Sequence, residues 1–405
     1  MLPLAGFVVG ITADRRADEQ AELLRRRGAE VVHGPVIRTR PLSDGAELAA
    51  ATDDLVARPP DLLVALTALG IRSWFEAADG HGRGDALRGA LADARVVARG
   101  PKAAGALATV GLDVDWRAPG ESSAEVMAHL GDSVAGRRVA VQRDGAARAF
   151  LAETLADRGA DVVDVPIYRW ELPDDPAPAR SLVDAVVTGS VDAVTFTSAA
   201  AIGNLFTIAE RSGRGGVDAL RDALRTRVVP VCVGPVSAAR LAGLGVDGAV
   251  VPDRWRLGPM VRCLVEALEG RRRQAALDGR PIVVQGTAVV ADGVTTALSR
   301  REVGLLAALI DAGGAVVAKE RLAVDLWAPG TDPHVVEVTV ARLRRRLGPV
   351  GRSLVTVPRR GYRLDGLEPG GLIARRSEAA SPEVSCASPG EIPSPGRSVP
   401  GDARP

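Results

Sequence analysis

The 405-residue sequence has few cysteines and histidines and no long apolar run, and each shortage excludes a class of protein. The three cysteines, Cys232, Cys263 and Cys386, are too few and too scattered for a disulfide framework or a zinc site. The four histidines lie far apart in the sequence, so we expect no metal site. No apolar run reaches the ~18 residues that a membrane helix needs, and the N-terminus does not have the basic region of a signal peptide. We therefore expect a cytoplasmic protein that does not bind membranes.

Two further absences narrow the function. No strand-like segment is followed by G-x-G-x-x-G or G-x-x-x-x-G-K-[ST], which argues against nucleotide binding. A phosphorylated receiver domain is excluded too, because the first strand runs into Thr12-Ala13-Asp14 instead of an acidic pair. The net charge of +1 does not indicate a partner, but residues 342–363 contain eight arginines and no acidic residue. This concentration of positive charge suggests a nucleic-acid partner.

Residues 1–268 contain an internal repeat, in which the first half recurs in the second half at an offset of 131 positions. Eight residues of one 15-residue stretch recur identically: Leu24, Arg27, Gly28, Ala29, Val31, Val32, Pro35 and Arg38 return as Leu155, Arg158, Gly159, Ala160, Val162, Val163, Pro166 and Arg169. A repeat of this length is a duplicated half-molecule, not a solenoid unit. Duplicated α/β halves usually face each other across a ligand cleft.

Each copy alternates short β-branched runs with helical stretches, which predicts parallel sheets covered on both faces. The predicted strands are 7–11, 30–33, 62–66 and 95–98 in the first copy, and 138–142, 161–165, 193–197 and 228–233 in the second. Residues 35–42 and 166–172 are extended and equivalent under the repeat, so we expect them to cross between two lobes. Lobe A would contain residues 1–35 and 173–268, and lobe B residues 42–166.

The C-terminal part has its own pattern. Residues 269–280 are predicted to be a linker, 281–365 a third compact unit, and 366–405 a disordered tail rich in Pro, Ser and Gly. Ser299 and Glu302 form a capping-box pattern that begins a helix ending at Asp311. A second helix is predicted over 319–327, and a third begins after Pro333. Strands at 353–357 and 362–364 predict a hairpin.

This order of three helices and a basic hairpin resembles the winged-helix effector domain of OmpR/PhoB response regulators. The resemblance rests on LSRREVGLLAAL, VVAKERLAVDLW, HVVEVTVARLRRRLG and LVTVPRRGYRL. It implies double-stranded DNA as partner, with residues 335–347 as the recognition helix. The implied base contacts are from Val338, Arg342 and Arg345, and the implied phosphate contacts from Arg344, Arg346, Arg359 and Arg360, with Arg359 or Arg360 also able to enter the minor groove. The open alternative is a solvated basic face on a winged helix that binds protein. A partner regulator or RNA polymerase is expected as a further partner.

Residues 1–268 resemble uroporphyrinogen-III synthase. The resemblance rests on RGAEVVHGPVI, RGADVVDVPIYRW, VDAVTFTSAAAIGNLF and VCVGPVSAARLAGLG, in that order. It implies an enzyme that cyclises hydroxymethylbilane, or a related tetrapyrrole, and inverts the last pyrrole ring without a metal or organic cofactor. The implied fold is two-lobed and α/β, with parallel sheets built from a tandem duplication.

The substrate of that family has eight carboxylates, which strand-to-helix turns can bind through backbone N–H groups and helix dipoles. Candidate substrate-binding residues at such turns are Thr67, Thr197, Ser198, Gly234 and Ser237, with Arg143 and Arg148 as cationic contacts. Tyr168 replaces Ile37 of the first copy. The family has a tyrosine at this motif position, which implies a general acid that helps the substrate hydroxyl to leave. The alternative is a hinge tyrosine that only packs and hydrogen-bonds its neighbour.

Two hypotheses remain open at this stage. In the first, the chain is a bifunctional synthase and DNA-binding transcriptional regulator. In the second, it is a regulator whose synthase-like part senses a ligand without turnover. The first predicts that the candidate hydroxyls and Tyr168 converge on one cleft and that hydroxymethylbilane is converted.

Overall fold

The computed structural model describes residues 1–42, 45–143, 150–212, 215–327 and 330–367. The strands are β1 (Val8–Ile11), β2 (Glu30–His33), β3 (Arg38–Pro41), β4 (Leu62–Ala65), β5 (Arg95–Ala98), β6 (Trp116–Arg117), β7 (Arg138–Gln142), β8 (Asp161–Val165), β9 (Tyr168–Glu171), β10 (Ala193–Phe196), β11 (Val229–Cys232), β12 (Arg273–Leu277), β13 (Arg280–Gln285), β14 (Ala288–Ala291), β15 (Val294–Ala297), β16 (Leu354–Val357) and β17 (Gly361–Leu364). The helices are α1 (Ala17–Arg25), α2 (Ala46–Ala57), α3 (Ala68–Gly80), α4 (Gly84–Leu91), α5 (Pro101–Thr109), α6 (Ser123–Leu130), α7 (Phe150–Asp157), α8 (Ala177–Val187), α9 (Ala199–Glu210), α10 (Gly216–Thr226), α11 (Pro235–Ala242), α12 (Leu257–Glu269), α13 (Arg300–Asp311), α14 (Lys319–Leu326) and α15 (His334–Leu347). None of these helices is long and apolar enough to span a membrane.

The chain forms two compact units, Pro35–Ala179 and the remainder. Pro35–Ala179 takes the place of the predicted lobe B, 42–166, and lobe B means this longer range from here on. Its five strands form a parallel sheet in the order β6-β5-β4-β7-β8. Leu63 and Ala65 of β4 belong to one apolar core, and Leu62 and Val64 of the same strand belong to another. A sheet buried on both faces explains why its strands are continuously apolar.

Lobe A, residues 1–34 and 180–269, contains a second parallel sheet in the order β11-β10-β1-β2. Its strands β1 and β2 come from the first sequence copy, and β10 and β11 come from the second. Lobe B likewise combines β4 and β5 of the first copy with β7 and β8 of the second. Each lobe therefore contains strands from both copies of the repeat. The predicted α/β class with parallel sheets is confirmed.

The two segments predicted to cross between lobes form a pair of strands. β3 and β9 are antiparallel, with Arg38 opposite Glu171 and Pro41 opposite Tyr168. The ladder lies within lobe B, which the chain enters at Pro35 and leaves after Ala179.

The C-terminal part begins with an antiparallel sheet, β12-β13-β14-β15, that the sequence did not reveal. The predicted linker at 269–280 is wrong for residues 273–277, because β12 pairs there with β13. Helices α13 to α15 and the hairpin β16–β17 follow, packed around an apolar core of their own. This confirms the predicted winged-helix domain. The predicted tail lies outside the described residues from position 368 onward.

The C-terminal domain, residues 273–367, is hydrogen-bonded to the N-terminal segment of lobe A within the same compact unit. The buried side chain of Gln285 donates to the carbonyls of Leu2 (3.1 Å) and Ala5 (2.8 Å). Thr287 donates to the Gly6 carbonyl from its backbone nitrogen (2.8 Å) and from its hydroxyl (3.0 Å). These bonds fix the β13–β14 turn to lobe A.

This junction requires glycine on both sides. Gly6 has a φ of +81° and Gly286 a φ of +54°, a region that residues with a Cβ rarely adopt. A Cβ on Gly286 would lie 2.2 Å from the Gly6 oxygen, well inside contact distance. The two backbones therefore touch, so the domain is docked on lobe A and does not hang from a linker.

Candidate functional site

In lobe B, Thr67 follows the carboxyl end of β4 and caps α3 by accepting a hydrogen bond from Gly70 N (3.0 Å). Gln142, the last residue of β7, is fully buried beside it. Its Oε1 accepts from the Leu66 and Thr67 backbone nitrogens, both at 3.0 Å, and its Nε2 donates to the Thr67 hydroxyl at 2.7 Å. Gln142 thus holds the β4–α3 turn in place at the carboxyl edge of the sheet.

Arg143 follows Gln142 at this edge, but its guanidinium is paired. Its Nε donates to Asp164 Oδ2 at 2.8 Å and its Nη2 forms an ion pair with the same oxygen. Only 15% of the Arg143 side chain is exposed, so Asp164 offsets most of its positive charge locally. Arg148, the other predicted cationic contact, lies outside the described residues.

Tyr168 begins β9, three residues beyond the end of β8, and so lies near the same edge of lobe B. It is 5% exposed and belongs to the apolar core that includes Ala65 and Ala98. Its ring lies 6.1 Å from that of Trp170, tilted by 49°. The structure therefore provides the packing role, and the proton-donor role stays a prediction.

The carboxyl edge of the lobe A sheet is also polar and buried. The hydroxyl of Thr12, just after β1, donates to Thr195 O at 2.7 Å. The Thr195 hydroxyl donates to Gly10 O (3.0 Å) and accepts from Gln20 Nε2 (2.7 Å). This network joins β1, β10 and α1, and it orders the strand ends from which the next turns leave.

Those turns contain the predicted residues of lobe A. Thr197 and Ser198 follow β10, and the Ser198 hydroxyl caps α9 by accepting from Ala201 N at 3.2 Å. Gly234 is the N-cap of α11, and Ser237 is buried in its first turn. The four residues therefore lie at adjacent strand ends, β10 and β11, beside the amino ends of two helices. Such ends attract carboxylates.

Cys232 ends β11 at this edge but is not a candidate nucleophile. It is fully buried, and burial raises the pKa of its thiol to about 12. The reactive form of cysteine is the thiolate, so this thiol is chemically quiet near neutral pH.

In the C-terminal domain, α15 buries one face and exposes the other. Val336, Val340, Leu343 and Leu347 are buried in the domain core. Val338 is 46% exposed, and Arg342 and Arg345 are exposed on the same outer side. This is the arrangement in which a helix can enter a major groove.

One acidic residue, Glu337, lies at the start of that outer surface. Its carboxylate accepts from Lys319 Nζ at 2.8 Å and contacts His334 Nδ1 at 3.0 Å. These hydrogen bonds, that of Lys319 first, lower the pKa of the Glu337 carboxyl. The neighbouring cation offsets a charge that would otherwise repel phosphates.

Arg344 and Arg346 make contacts inside the domain. Arg344 donates to Leu354 O (2.7 Å) and to the Thr356 hydroxyl (2.8 Å), which ties α15 to the hairpin. Arg346 donates to Ala297 O at 2.9 Å and lies 3.6 Å from the buried Glu302. Their predicted phosphate contacts stay a prediction, and both residues also have a structural role.

The hairpin turn presents the remaining predicted residues. Arg359 and Arg360 are exposed between β16 and β17, and Arg359 has a φ of +59°. Gly361 follows them, and an isolated antiparallel β-bridge joins Val317 to Tyr362. The turn therefore exposes two arginines, and pairing with Val317 holds the strand that follows them in place.

Four buried polar residues at these edges were not predicted as site residues: Gln142, Gln20, Thr12 and Thr195. Each is a polar residue in or beside an apolar strand or on a buried helix face, and each is buried with a polar partner. A glutamine that ends the run RVAVQ was the available signal, because a buried amide needs hydrogen-bond partners. The structure brings Thr67, Arg143 and Tyr168 to the sheet edge of lobe B, and Thr197, Ser198, Gly234 and Ser237 to that of lobe A.

Known proteins are similar both to the two-lobed part of this chain and to its C-terminal domain. Residues 18–262 match the family model "Uroporphyrinogen-III synthase HemD", and residues 293–364 match "Transcriptional regulatory protein, C terminal". A putative uroporphyrinogen-III synthase of Methanothermobacter thermautotrophicus is 34% identical over 178 residues, 44% of this chain and 68% of that protein. The uncharacterized protein YjjA of Bacillus subtilis is 24% identical over 259 residues, 64% of this chain and 94% of that protein. The crystal structure of a mutant uroporphyrinogen III synthase from the extremely thermophilic bacterium Thermus thermophilus is similar with a TM-score of 0.54 and 31% identity, covering 65% of this chain and 99% of that chain.

Proposed function

Because this chain belongs to the uroporphyrinogen-III synthase family, we propose that residues 1–268 cyclise hydroxymethylbilane to uroporphyrinogen III and that the C-terminal domain regulates transcription. The observation that supports catalysis is the pair of polar sheet edges. Each lobe presents hydroxyls and helix amino ends where its parallel strands finish. Open α/β sheets bind their ligands at this edge.

The chemistry of these edges suits the substrate. Hydroxymethylbilane has eight carboxylates, and Thr67, Thr197, Ser198, Gly234 and Ser237 offer hydroxyl or backbone N–H donors. Neutral donors at helix amino ends can bind carboxylates without burying fixed positive charge. Arg148, which lies outside the described residues, would add a cationic contact to this set, and Arg143 would do so only if the substrate displaced Asp164 from it.

We assign Tyr168 the role of general acid. Its phenol would donate a proton to the hydroxyl of the substrate, which leaves as water. The methylene carbon left by water bonds to the substituted α-carbon of the last pyrrole ring. The bond from that carbon to its former methylene bridge then breaks and re-forms at the free α-carbon of the same ring, which inverts the ring. The free α-carbon loses its proton, and that proton restores the phenol. The balance is the loss of one water, with no redox change.

The test is to incubate the purified full chain with freshly made hydroxymethylbilane and to separate the porphyrin isomers after oxidation. Enzymatic closure gives the type III isomer, in which one ring is inverted. A product that contains only the uninverted type I isomer, at the rate seen without protein, would rule out the synthase activity.

The second candidate, a regulator that senses a tetrapyrrole without turnover, is favoured by the state of two predicted residues. Arg143 is neutralised by Asp164, and Tyr168 is packed in the lobe B core. Tetrapyrrole binding in the absence of isomer III formation would select this candidate.

The DNA-binding role is supported by the exposed residues of α15 and the hairpin turn. We propose that Arg342 and Arg345 contact base edges, with Val338 against a thymine methyl, and that Arg359 and Arg360 contact phosphates. Binding to double-stranded DNA would place the protein in the cytoplasm with the chromosome, where a partner regulator or RNA polymerase could contact it. An affinity for DNA that does not fall with salt would contradict the phosphate contacts.

A further inference from the structure

Trp255 lies beside the lobe A turn that contains Gly234. The function proposed above gives this tryptophan no role. Val250 pairs in parallel with Val231 of β11, and Cys232 N donates to Val250 O at 2.8 Å. The chain therefore runs beside β11 and past its carboxyl end. Trp255 lies beyond that end, next to Gly234.

The internal repeat shows that this position is special. With a three-residue slip in the repeat, Arg-Gly-Pro at 99–101 matches Val-Gly-Pro at 233–235, so Gly100 is equivalent to Gly234, and each is the N-cap of a helix. Trp255 lies 21 residues after Gly234, and Glu121 lies 21 residues after Gly100. A Cβ on Gly234 would lie 3.2 Å from Trp255 Cγ, and a Cβ on Gly100 would lie 3.2 Å from Glu121 Cγ. Both lobes thus cover the glycine N-cap of a helix with one side chain. Lobe A uses an indole where lobe B uses a carboxylate.

The exposure of Trp255 is not explained by folding. Among the five tryptophans, all within the described part of the chain, Trp255 is the exposed one, at 47%. Burial of an indole stabilises a folded protein, so a tryptophan at the surface contributes less to the stability of the fold. Val236, in the first turn of α11, is 73% exposed on the same side of the sheet as Gly234.

The neighbours of Trp255 add positive charge. Arg254 and Arg256 are both exposed, and Arg256 N donates to Arg254 O at 2.7 Å, so the backbone makes a tight turn at Trp255. An exposed indole with an exposed arginine on each side of it in the sequence matches an aromatic heterocycle that has two carboxylates. Each pyrrole ring of the linear tetrapyrrole is such a group, because it has one acetate and one propionate.

We propose that Trp255 binds the substrate by stacking on one pyrrole ring, with Arg254 and Arg256 as the cationic partners of its two carboxylates. This inference rests on the function proposed above and assigns it a further substrate-binding residue. The indole would bind the face of one pyrrole ring. Lobe B has Glu121 at the equivalent position, so the two lobes differ chemically there.

The experiment compares Trp255→Ala and Trp255→Phe in the full chain with Trp327→Phe as the control. Trp327 is a half-buried tryptophan of the C-terminal domain, with the Arg301 guanidinium 5.7 Å from its ring centre. Stacking of a base on an aromatic side chain is worth enough to change affinity about tenfold or more. We expect Trp255→Ala to raise KM for hydroxymethylbilane about tenfold with kcat nearly unchanged, while Trp255→Phe and Trp327→Phe stay close to the wild type.

The dissociation constant for uroporphyrin III, measured by porphyrin fluorescence, provides a readout that does not need turnover. We expect the same order of variants, with equal thermal midpoints for Trp255→Ala and Trp255→Phe. If the wild type converts hydroxymethylbilane or binds uroporphyrin III, and Trp255→Ala matches it within twofold, only this inference is wrong. If the wild type does neither, the inference and the proposed function both fail.

Discussion

Arg300 and Asp192 form an ion pair that joins the C-terminal domain to lobe A. Arg300 Nη1 lies 2.9 Å from Asp192 Oδ1, and Nη2 lies 3.1 Å from Oδ2 and 2.6 Å from Ser190 O. The Asp192 carboxylate also accepts from Val8 N at 2.7 Å. Arg300, the first residue of α13, is thus held at the amino end of β10, and Asp192 also bonds the amino end of β1. This is the edge opposite to the one that contains the candidate substrate residues of lobe A.

Arg300→Ala is expected to lower the free energy of unfolding by ~1–3 kcal/mol. The reason is that Asp192, only 13% exposed, would lose the cation paired with it and keep its charge. Chemical denaturation of the full chain measures the change. Arg280→Ala is the matched control, because the ion pair between Arg280 and Asp292 is more exposed at both residues. Equal effects of the two changes would show that the junction does not stabilise the protein.

Most strands were predictable, because short β-branched runs end abruptly at polar residues. Glu30–His33, Arg95–Ala98, Arg138–Gln142 and Asp161–Val165 occur at the predicted bounds, although Glu30–His33 contains no buried residue. β12 was missed because RQAAL contains no β-branched residue and its neighbours are charged. Its pairing with β13 is a tertiary contact that no local pattern encodes.

The site was predictable only where a residue acts locally. Ser198 and Ser299 each cap the helix that follows them, which a sequence can indicate. The pairing of Arg143 with Asp164 and the packing of Tyr168 depend on neighbouring strands. The docking of Gln285 on lobe A depends on contacts across about 280 positions of the chain.

Gln142→Leu is expected to cost ~2–4 kcal/mol, because two buried backbone N–H groups and the Thr67 hydroxyl would lose their partner. Gln142→Glu keeps the acceptor oxygen and should retain more of the stability than Leu does. Denaturant titration measures both variants. If hydroxymethylbilane conversion is present, we expect it to fall with Gln142→Leu, since the β4–α3 turn would no longer be held. A Leu variant as stable as the wild type would contradict the role of this amide.

Cys232 is expected to resist alkylation in the native protein at pH 8. Its pKa is raised to about 12, so the folded state keeps the thiol neutral where an ordinary cysteine would be partly ionised. Because the raised pKa disfavours the thiolate, folding should lose stability only as the pH rises above the ordinary thiol value. Mass spectrometry of the Cys232 peptide after iodoacetamide treatment, with and without denaturant, measures this. Rapid native labelling would show that the β11 edge opens.

Tyr168→Phe separates the two roles of the ring. It keeps the packing against Trp170 and removes only the hydroxyl, so we expect the unfolding free energy to change by ~1 kcal/mol or less. Loss of a general acid should lower kcat by ~100-fold or more. The measurement is the rate of type III isomer formation at saturating hydroxymethylbilane. Full turnover in the Phe variant would leave Tyr168 a packing residue.

Arg345 and Arg344 are neighbours on α15 that we expect to behave oppositely on substitution. Arg345 is exposed, so Arg345→Ala should weaken DNA binding by ~1–3 kcal/mol and leave stability unchanged. Arg344→Ala should instead lower stability by ~1–2 kcal/mol, because its bonds to Leu354 O and Thr356 would be lost. DNA affinity is measured by titrating the duplex that the wild type selects from a random pool, and stability by denaturation. If Arg345→Ala binds that duplex as tightly as the wild type, the outer face of α15 is not the surface that reads DNA.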